Sequence, residues 1–209
     1  MGYHDANGRY RSVFESAGLL TVAQLKAIQP EAEDNGKIVQ ISTGNFYVYD
    51  ADSILTGDDA LVIAPTNGPG LYLLAAGYNF DLAVAVAFGK ADAAAHLTSP
   101  NTAFLAALGR SYWEVTADWT GGTASTIGAS LSAAPHSTKG DVIGGSAGDA
   151  DATLVAAGGK LLGTIGTDVA GGILWKGNVA VRHDRITSAF TAGAGYIHLI
   201  GRMLVNPGA

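Results

Sequence analysis

The sequence predicts a mainly β protein, in which an antiparallel, jelly-roll-like β-sandwich follows an extended N-terminal arm and a small helix-plus-β-hairpin module. Two observations predict this fold class. The last third of the chain consists of short apolar runs separated by Gly, Ala and Thr, and it closes with a segment that has the two-residue period of a half-buried strand. From Tyr78 onward, helical patterns give way to short strand patterns separated by turn residues, which indicates a sandwich of about eight strands.

Three parts are predicted along the 209 residues. They are the arm over residues 1–20, a small α+β module over residues 21–76 and the jelly-roll-like sandwich over residues 77–209. The arm is rich in Gly, Tyr and Arg and shows little periodicity. A segment of this kind is either disordered or held by a neighbouring molecule.

The module is predicted to begin with one short helix. Thr21 is a suitable N-cap and Gln24 completes a capping box, while Val22, Leu25 and Ile28 share one face. Turn residues then separate four strand patterns, the first two of which are expected to pair as a hairpin. The predicted strands are residues 37–42, 46–50, 60–64 and 71–75.

The sandwich is predicted to contain seven recognisable strands. They are residues 80–88, 111–119, 126–132, 152–156, 160–165, 173–183 and 195–205. The clearest is 111–119, in which Trp113 and Trp119 share the inward face and Tyr112 and Glu114 share the other. The alanine-rich stretch 91–95 is consistent with either a turn of helix or a connecting loop.

The closing strand has one apolar and one polar face. The apolar face comprises Ile197, Leu199, Met203 and Val205. The polar face comprises Tyr196, His198 and Arg202. We interpret His198 as a strand-face residue that makes one hydrogen bond or lies at a subunit interface, where amphipathic rings are enriched.

Composition predicts assembly and excludes several classes of partner. Only 14% of the residues are charged, whereas soluble domains average about 25%, so we expect other subunits to cover part of the surface. Lys and Arg are scattered in a chain of net charge −6, and binding to nucleic acid requires clustered positive charge. No apolar run approaches a length of about 20 residues, which a helix needs to span a bilayer. We therefore expect neither a nucleic-acid nor a membrane partner.

The chain contains no cysteine, which excludes disulfides, thiol catalysis and the usual structural zinc sites. It also lacks a basic segment followed by an apolar stretch at its start, so we expect it to be made in a cytoplasm rather than secreted by a signal peptide. The five histidines have no i, i+2 or i, i+4 partners among themselves, a spacing that zinc sites usually show. No metal and no cofactor are predicted.

One motif resembles a hydrolase signature. Residues 144–148 fit G-x-S-x-G around Ser146, and Asp168 and His183 follow in the order of an α/β-hydrolase triad. That motif requires a strand, a sharp turn and a helix above a parallel sheet. The flanking residues here are Gly and Asp in a β-rich region, so we interpret the motif as a surface loop and predict that the chain is not an enzyme.

The acidic segment 50–59 suggests calcium at first sight. It fails the EF-hand pattern because Ile54 and Leu55 occupy the fifth and sixth positions, which require an oxygen ligand and a glycine. We interpret it as a turn with solvated carboxylates.

Aromatic residues provide the remaining candidate contacts. Trp175 is the one tryptophan suited to stacking on a sugar, because Trp113 and Trp119 are expected in the core. Tyr3, Tyr10 and Phe14 lie in an arm without a core of its own, so we expect them to contact a neighbouring subunit or shell.

The module resembles a small domain found near the start of tailed-bacteriophage fibres and other virion proteins. The resemblance comprises TVAQLKAIQP (21–30), NGKIVQI (35–41), FYVYD (46–50) and VIAPTNGPGLY (62–72). The second part resembles the jelly-roll domains of phage capsid decoration (cement) and head-fibre proteins through FDL (80–82), SYWEVTADW (111–119) and TAGAGYIHL (191–199).

The resemblance implies a structural homotrimer on the outside of an icosahedral phage head, assembled in the host cytoplasm. Its partners would be the major capsid protein and other copies of itself, and it would stabilise the head by bridging capsomers through many modest contacts. The chain departs from long fibres because it has no heptads and no repetitive shaft. The alternative is a fibre-associated receptor-binding module that recognises host surface glycans through Trp175.

Overall fold

The computed structural model describes residues 2–4, 10–12, 19–87, 95–97, 104–120, 126–133, 138, 140–145, 149–150, 160–161, 166–167, 172–177, 179–185 and 190–208. The fold is mainly β with antiparallel sheets, which confirms the predicted fold class. The arrangement of these sheets as a sandwich stays a prediction. No helix in the described residues is both long and apolar enough to cross a membrane.

The chain forms two compact units. The first contains Met1–Phe80, Pro100–Leu105 and Met203–Ala209, and the second contains Asp81–Ser99 and Ala106–Arg202. The first border lies close to the end of the predicted module at residue 76. The sequence did not indicate that residues 203–209 belong with the N-terminal unit.

In its described residues, the first unit contains six strands, one α-helix and one 3-10 helix. In chain order they are β1 (Gly2–His4), β2 (Tyr10–Ser12), α1 (Val22–Ala27), the 3-10 helix (Ala32–Asp34), β3 (Ile38–Gln40), β4 (Phe46–Asp50), β5 (Val62–Ile63) and β6 (Leu71–Leu74). Strands β1 and β2, which lie within the predicted arm, pair antiparallel with each other. The other four strands form one sheet in the order β3-β4-β6-β5.

The predicted helix and hairpin of the module are confirmed. The Thr21 hydroxyl accepts from the Gln24 amide at 3.2 Å, and the Gln24 side-chain oxygen accepts from the Thr21 amide at 2.9 Å, which closes the capping box. Strands β3 and β4 pair in the register Val39 opposite Tyr47. Leu25 and Ile28 are buried on the inner face of the helix and its end, as their spacing predicts.

Three fully buried tyrosines, Tyr47, Tyr49 and Tyr72, form much of the core of the first unit. The Tyr47 hydroxyl donates to the Ala60 carbonyl at 2.7 Å, and the Tyr49 hydroxyl donates to the Pro69 carbonyl at 2.8 Å. Each bond fixes a loop to the sheet beneath it. Burial raises the pKa of all three hydroxyls above the usual 10.0, and the nearby Asp58 carboxylate adds to this effect at Tyr47.

We expect the first unit to unfold in alkali because of these tyrosines. Their pKa values are raised by folding, so their contribution is complete below pH 10 and is lost as the pH rises above it. The expected loss is about 1.4 kcal/mol per pH unit for each tyrosine. Urea unfolding at increasing pH, together with tyrosinate absorbance, measures this loss. The Tyr47→Phe variant should show a shallower pH dependence, and ionisation of these residues near pH 10 in the folded protein would contradict the prediction.

The remaining ten strands lie wholly or mostly in the second unit. They are β7 (Asn79–Ala87), β8 (Ala95–Leu97), β9 (Leu105–Leu108), β10 (Tyr112–Thr120), β11 (Thr126–Leu131), β12 (Asp149–Ala150), β13 (Lys160–Leu161), β14 (Ile173–Lys176), β15 (Val181–Arg185) and β16 (Ala192–Val205). One sheet has the order β13-β10-β16-β9-β14, with β7 also paired to β16. The other has the order β12-β11-β15-β8.

Most of the predicted strands of this region are present. Residues 80–88, 111–119, 126–132 and 195–205 correspond to β7, β10, β11 and β16. The predicted strand 173–183 is wrong as a single element, because a turn divides it into β14 and β15. Only the first two residues of 160–165 are described, and 152–156 lies outside the described residues. Strands β8, β9 and β12 were not predicted.

The tryptophans of β10 lie in the core, as predicted. Trp113, Val115 and Trp119 are buried, whereas Ala117 is exposed because the pairing of β10 with β16 shifts register on both sides of it. Gly193 on β16 has a φ of 140°, and a Cβ there would lie 2.6 Å from the Trp119 ring. A side chain at this position would displace Trp119, so glycine is required.

Candidate functional site

Four polar and ionisable side chains meet on one sheet of the second unit. Asp81 lies on β7, Tyr112 and Glu114 lie on β10, and His198 lies on β16. We name these four residues the histidine cluster. Strand β16 brings them together because it pairs with both β7 and β10, and Tyr112 lies directly opposite His198 in the register.

The imidazole of His198 bridges the two carboxylates. Its Nδ1 lies 2.7 Å from Asp81 Oδ1, and its Nε2 lies 2.7 Å from Glu114 Oε2. The Tyr112 ring stacks on the imidazole with 4.4 Å between centroids and 8° between planes. The Tyr112 hydroxyl donates to the second oxygen of Asp81 at 3.1 Å. The ring is therefore fixed at both edges and over one face.

Exposure differs sharply within the histidine cluster. The His198 side chain is 8% exposed, whereas those of Asp81 and Glu114 are 34% and 33% exposed. The carboxylates therefore remain partly hydrated, whereas the ring between them has little contact with water. Such an arrangement lowers the cost of burying the charges, because each carboxylate keeps some contact with water.

The chemistry of the histidine cluster follows from its hydrogen bonds. A neutral imidazole has one N–H and one lone pair, and only the protonated ring can donate from both nitrogens. A general base needs a ring nitrogen within reach of a substrate proton. Both nitrogens of His198 already contact carboxylates of the same chain, so the cluster fastens three strands together.

His198 was predicted to make one hydrogen bond or to lie at a subunit interface. The structure instead buries it between two carboxylates, which gives it an internal role and leaves little of the ring for a partner to contact. The sequence placed Tyr112 and Glu114 together on one face of their strand. The prediction missed that this face also contains His198 and Asp81 from the neighbouring strands. Opposite charges on polar strand faces are a signal that could have indicated it.

Trp175 was considered as a glycan contact, and that prediction is wrong for this structure. Its side chain is fully buried, and its Nε1 donates to the Val179 carbonyl at 2.8 Å. A sugar platform needs an exposed ring face. Trp175 shares the inner face of β14 with Ile173, and both therefore belong to the core.

The predicted arm contacts are only partly described. Tyr3 and Tyr10 lie on the paired strands β1 and β2, and Phe14 lies outside the described residues. The hydrolase motif is likewise incomplete, because Ser146 and Asp168 lie outside the described residues. His183 is buried on β15.

Acidic side chains of the segment 50–59 bond to other groups of the same chain. Asp58 Oδ1 accepts from the amides of Ala60, Leu61 and Val62 at 2.8–2.9 Å. Asp59 pairs with Lys26 at 2.8 Å. The described part of the chain contains no group of three or more histidine and acidic side chains arranged to bind a metal ion.

Asp34 is a further buried carboxylate with a structural role. Burial acts to raise its pKa, but the Glu31 amide at 3.0 Å and the Lys37 ammonium at 2.8 Å outweigh burial and hold the pKa below its usual range. These bonds close the turn that precedes β3. Their contribution is complete at neutral pH and is lost only as the pH falls below about 4.

Large apolar side chains at the surface concentrate in the first unit. Among the described residues, the exposed large apolar side chains are Leu19, Ile54, Tyr78, Leu174, Tyr196, Leu204 and Val205. All but Leu174 and Tyr196 belong to the first unit. Ile54 is 97% exposed. Its neighbour Leu55 lies close to Gly208, in the C-terminal part of the same unit.

Comparison of the chain with protein families, with curated proteins and with solved structures finds no match in any of the three.

Proposed function

We propose that this chain is a structural protein of a bacteriophage virion, a capsid decoration (cement) protein that binds the outer surface of the head and bridges capsomers. Its partners in this proposal are the major capsid protein and two further copies of itself in a homotrimer. The resemblance of segments within residues 21–72, and of residues 80–82, 111–119 and 191–199, to virion proteins motivates the proposal, and the mainly β fold is compatible with it.

The observation on which the proposal most depends is the uneven distribution of exposed apolar side chains. Exposed apolar clusters on soluble proteins mark surfaces that other molecules cover. The first unit contains the exposed apolar side chains of Ile54, Leu204 and Val205. It is therefore the docking unit in this proposal, with Tyr3, Tyr10 and Phe14 of the arm adding contacts to the shell.

The arrangement of ionisable groups also supports a binding role over a catalytic one. In the described residues the most concentrated set of such groups is the histidine cluster, whose ring nitrogens are occupied by the chain's own carboxylates. Burial of Trp175 removes the residue on which the glycan-binding alternative depended. We therefore retain attachment to the phage head as the single proposal.

The Ile54→Asp variant tests the proposed docking unit. Burial of an isoleucine side chain stabilises a complex by about 1.5–3 kcal/mol, so the variant should bind heads of the same phage at least about tenfold more weakly. Stability should hardly change, because Ile54 makes no core contact in its exposed position. Occupancy on heads that lack the protein can be measured by quantitative sedimentation.

The matched control is Leu174→Asp, which places the same charge at a 52% exposed position of the second unit. It should leave occupancy unchanged. Equal binding by the Ile54 variant and the wild type would refute the docking unit, and failure of the wild type to bind heads at all would refute the proposed function.

A further inference from the structure

The histidine cluster links strands that are far apart in sequence. His198 is 117 residues from Asp81 and 84 residues from Glu114, and it contacts both at 2.7 Å. The backbone pairing of β16 already joins these strands. The side-chain bridge adds a second connection, and its strength depends on the number of ring protons available.

The two protonation states of the ring make different numbers of bonds. A protonated imidazole presents two N–H donors to two carboxylate acceptors, one at each edge. A neutral imidazole presents one donor, and its other nitrogen then faces a carboxylate oxygen lone pair to lone pair. Water cannot readily relieve that contact, because the ring is only 8% exposed.

In the part of the chain that the structure describes, the groups seen to face the ring belong to the histidine cluster and to its own strand. On β7 the facing group is Asp81, and on β10 the facing groups are Tyr112 and Glu114. Strand β9, which also pairs with β16, has the sequence LAAL and no ionisable side chain. On β16 itself the nearest ionisable residues are Tyr196 and Arg202, both of which are exposed.

We propose that the histidine cluster is a proton-dependent link that holds β7 and β10 to β16. Both bonds of the ring form when His198 is protonated and both carboxylates are ionised. It loosens when the ring is neutral, because one of the two ring bonds is then lost.

The Glu114→Gln variant tests the proposal directly. The glutamine amide can donate to the ring nitrogen that lacks a proton, so a neutral His198 is satisfied at both edges in this variant. Between about pH 6 and pH 8.5, the urea midpoint of the wild-type second unit should fall by roughly 0.5–1 M. The same midpoint of Glu114→Gln should fall by less than half as much. Asp118→Asn, which removes the same charge from the same strand outside the cluster, should behave as the wild type does.

Asp81→Asn repeats the test at the other ring nitrogen if Glu114→Gln does not fold. In the wild type alone, the protection factors of amides in residues 197–199 against hydrogen exchange should fall over the same pH range. An equal fall of the midpoint in Glu114→Gln, Asp118→Asn and the wild type would overturn the proposal. Protection factors that do not change with pH would overturn it as well.

Discussion

Replacement of Trp175 by alanine is expected to lower the free energy of unfolding of the second unit by about 3–5 kcal/mol. The side chain is fully buried on β14, so its removal leaves a large cavity. It also removes the Nε1 donor that reaches the Val179 carbonyl at 2.8 Å. Urea unfolding followed by the fluorescence of Trp113 and Trp119 measures the loss.

The Trp175→Phe variant separates volume from hydrogen bonding. It retains an aromatic ring but not the Nε1–H, and we expect a cost of about 1–3 kcal/mol, the usual penalty for leaving a buried carbonyl without its partner. A Trp175→Ala protein with wild-type stability would contradict the buried position. Any loss of ligand binding in these variants must be compared with their loss of stability before it is taken as evidence for a binding site.

Deletion of residues 203–209 is expected to unfold the first unit, although these residues lie far from it in sequence. Met203 is fully buried, its amide donates to the Tyr78 carbonyl at 3.0 Å, and its carbonyl accepts from Gly77 at 2.7 Å. The Asn206 side chain accepts from the Ala76 amide. The deletion removes all of these contacts together. Tyrosine fluorescence and proteolysis of residues 19–80 report the state of this unit.

Two point variants provide the matched comparison for the deletion. Met203→Ala should cost about 2–5 kcal/mol, as buried Met to Ala changes do. Leu204→Ala, one residue later and 43% exposed, should cost less than about 0.5 kcal/mol. Similar stability of both variants would show that residues 203–209 do not complete the first unit.

The local structure of the module could be predicted because its signals are local. Thr21 and Gln24 satisfy each other's backbone amides within one turn, so the capping box is visible in the sequence itself. The hairpin of β3 and β4 follows from alternation on both sides of a short turn. By contrast, β9 has no β-branched or aromatic residue to indicate a strand, and only its pairing within the sheet makes it one.

The alternation of the closing strand predicted most of its core residues. Ile197, Leu199 and Met203 are buried as expected, but Val205, the last residue of β16, is 37% exposed. His198 lies on the face expected to be polar and is nevertheless buried. Alternation distinguishes the two faces of a strand, but it does not show that the polar face is covered by side chains from β7 and β10.

The histidine cluster could not be predicted as a unit. Its members come from three segments, and the register that places Tyr112 opposite His198 is set by pairing over more than eighty residues. A polar residue on one strand has no local feature that identifies its partner on another. Trp175 shows the same limit, because the carbonyl that its indole contacts follows the turn after β14, where the sequence had indicated one continuous strand.

The assignment of Met203–Ala209 to the N-terminal unit has a consequence for biosynthesis. A ribosome releases Met1–Phe80 long before it adds Met203. The N-terminal part of the first unit therefore lacks its C-terminal segment while the residues of the second unit are translated. Its tyrosine-rich interior is incompletely closed during that interval. Chaperone engagement and the timing of translation should therefore influence the yield of this protein more than they would if each unit were continuous in the chain.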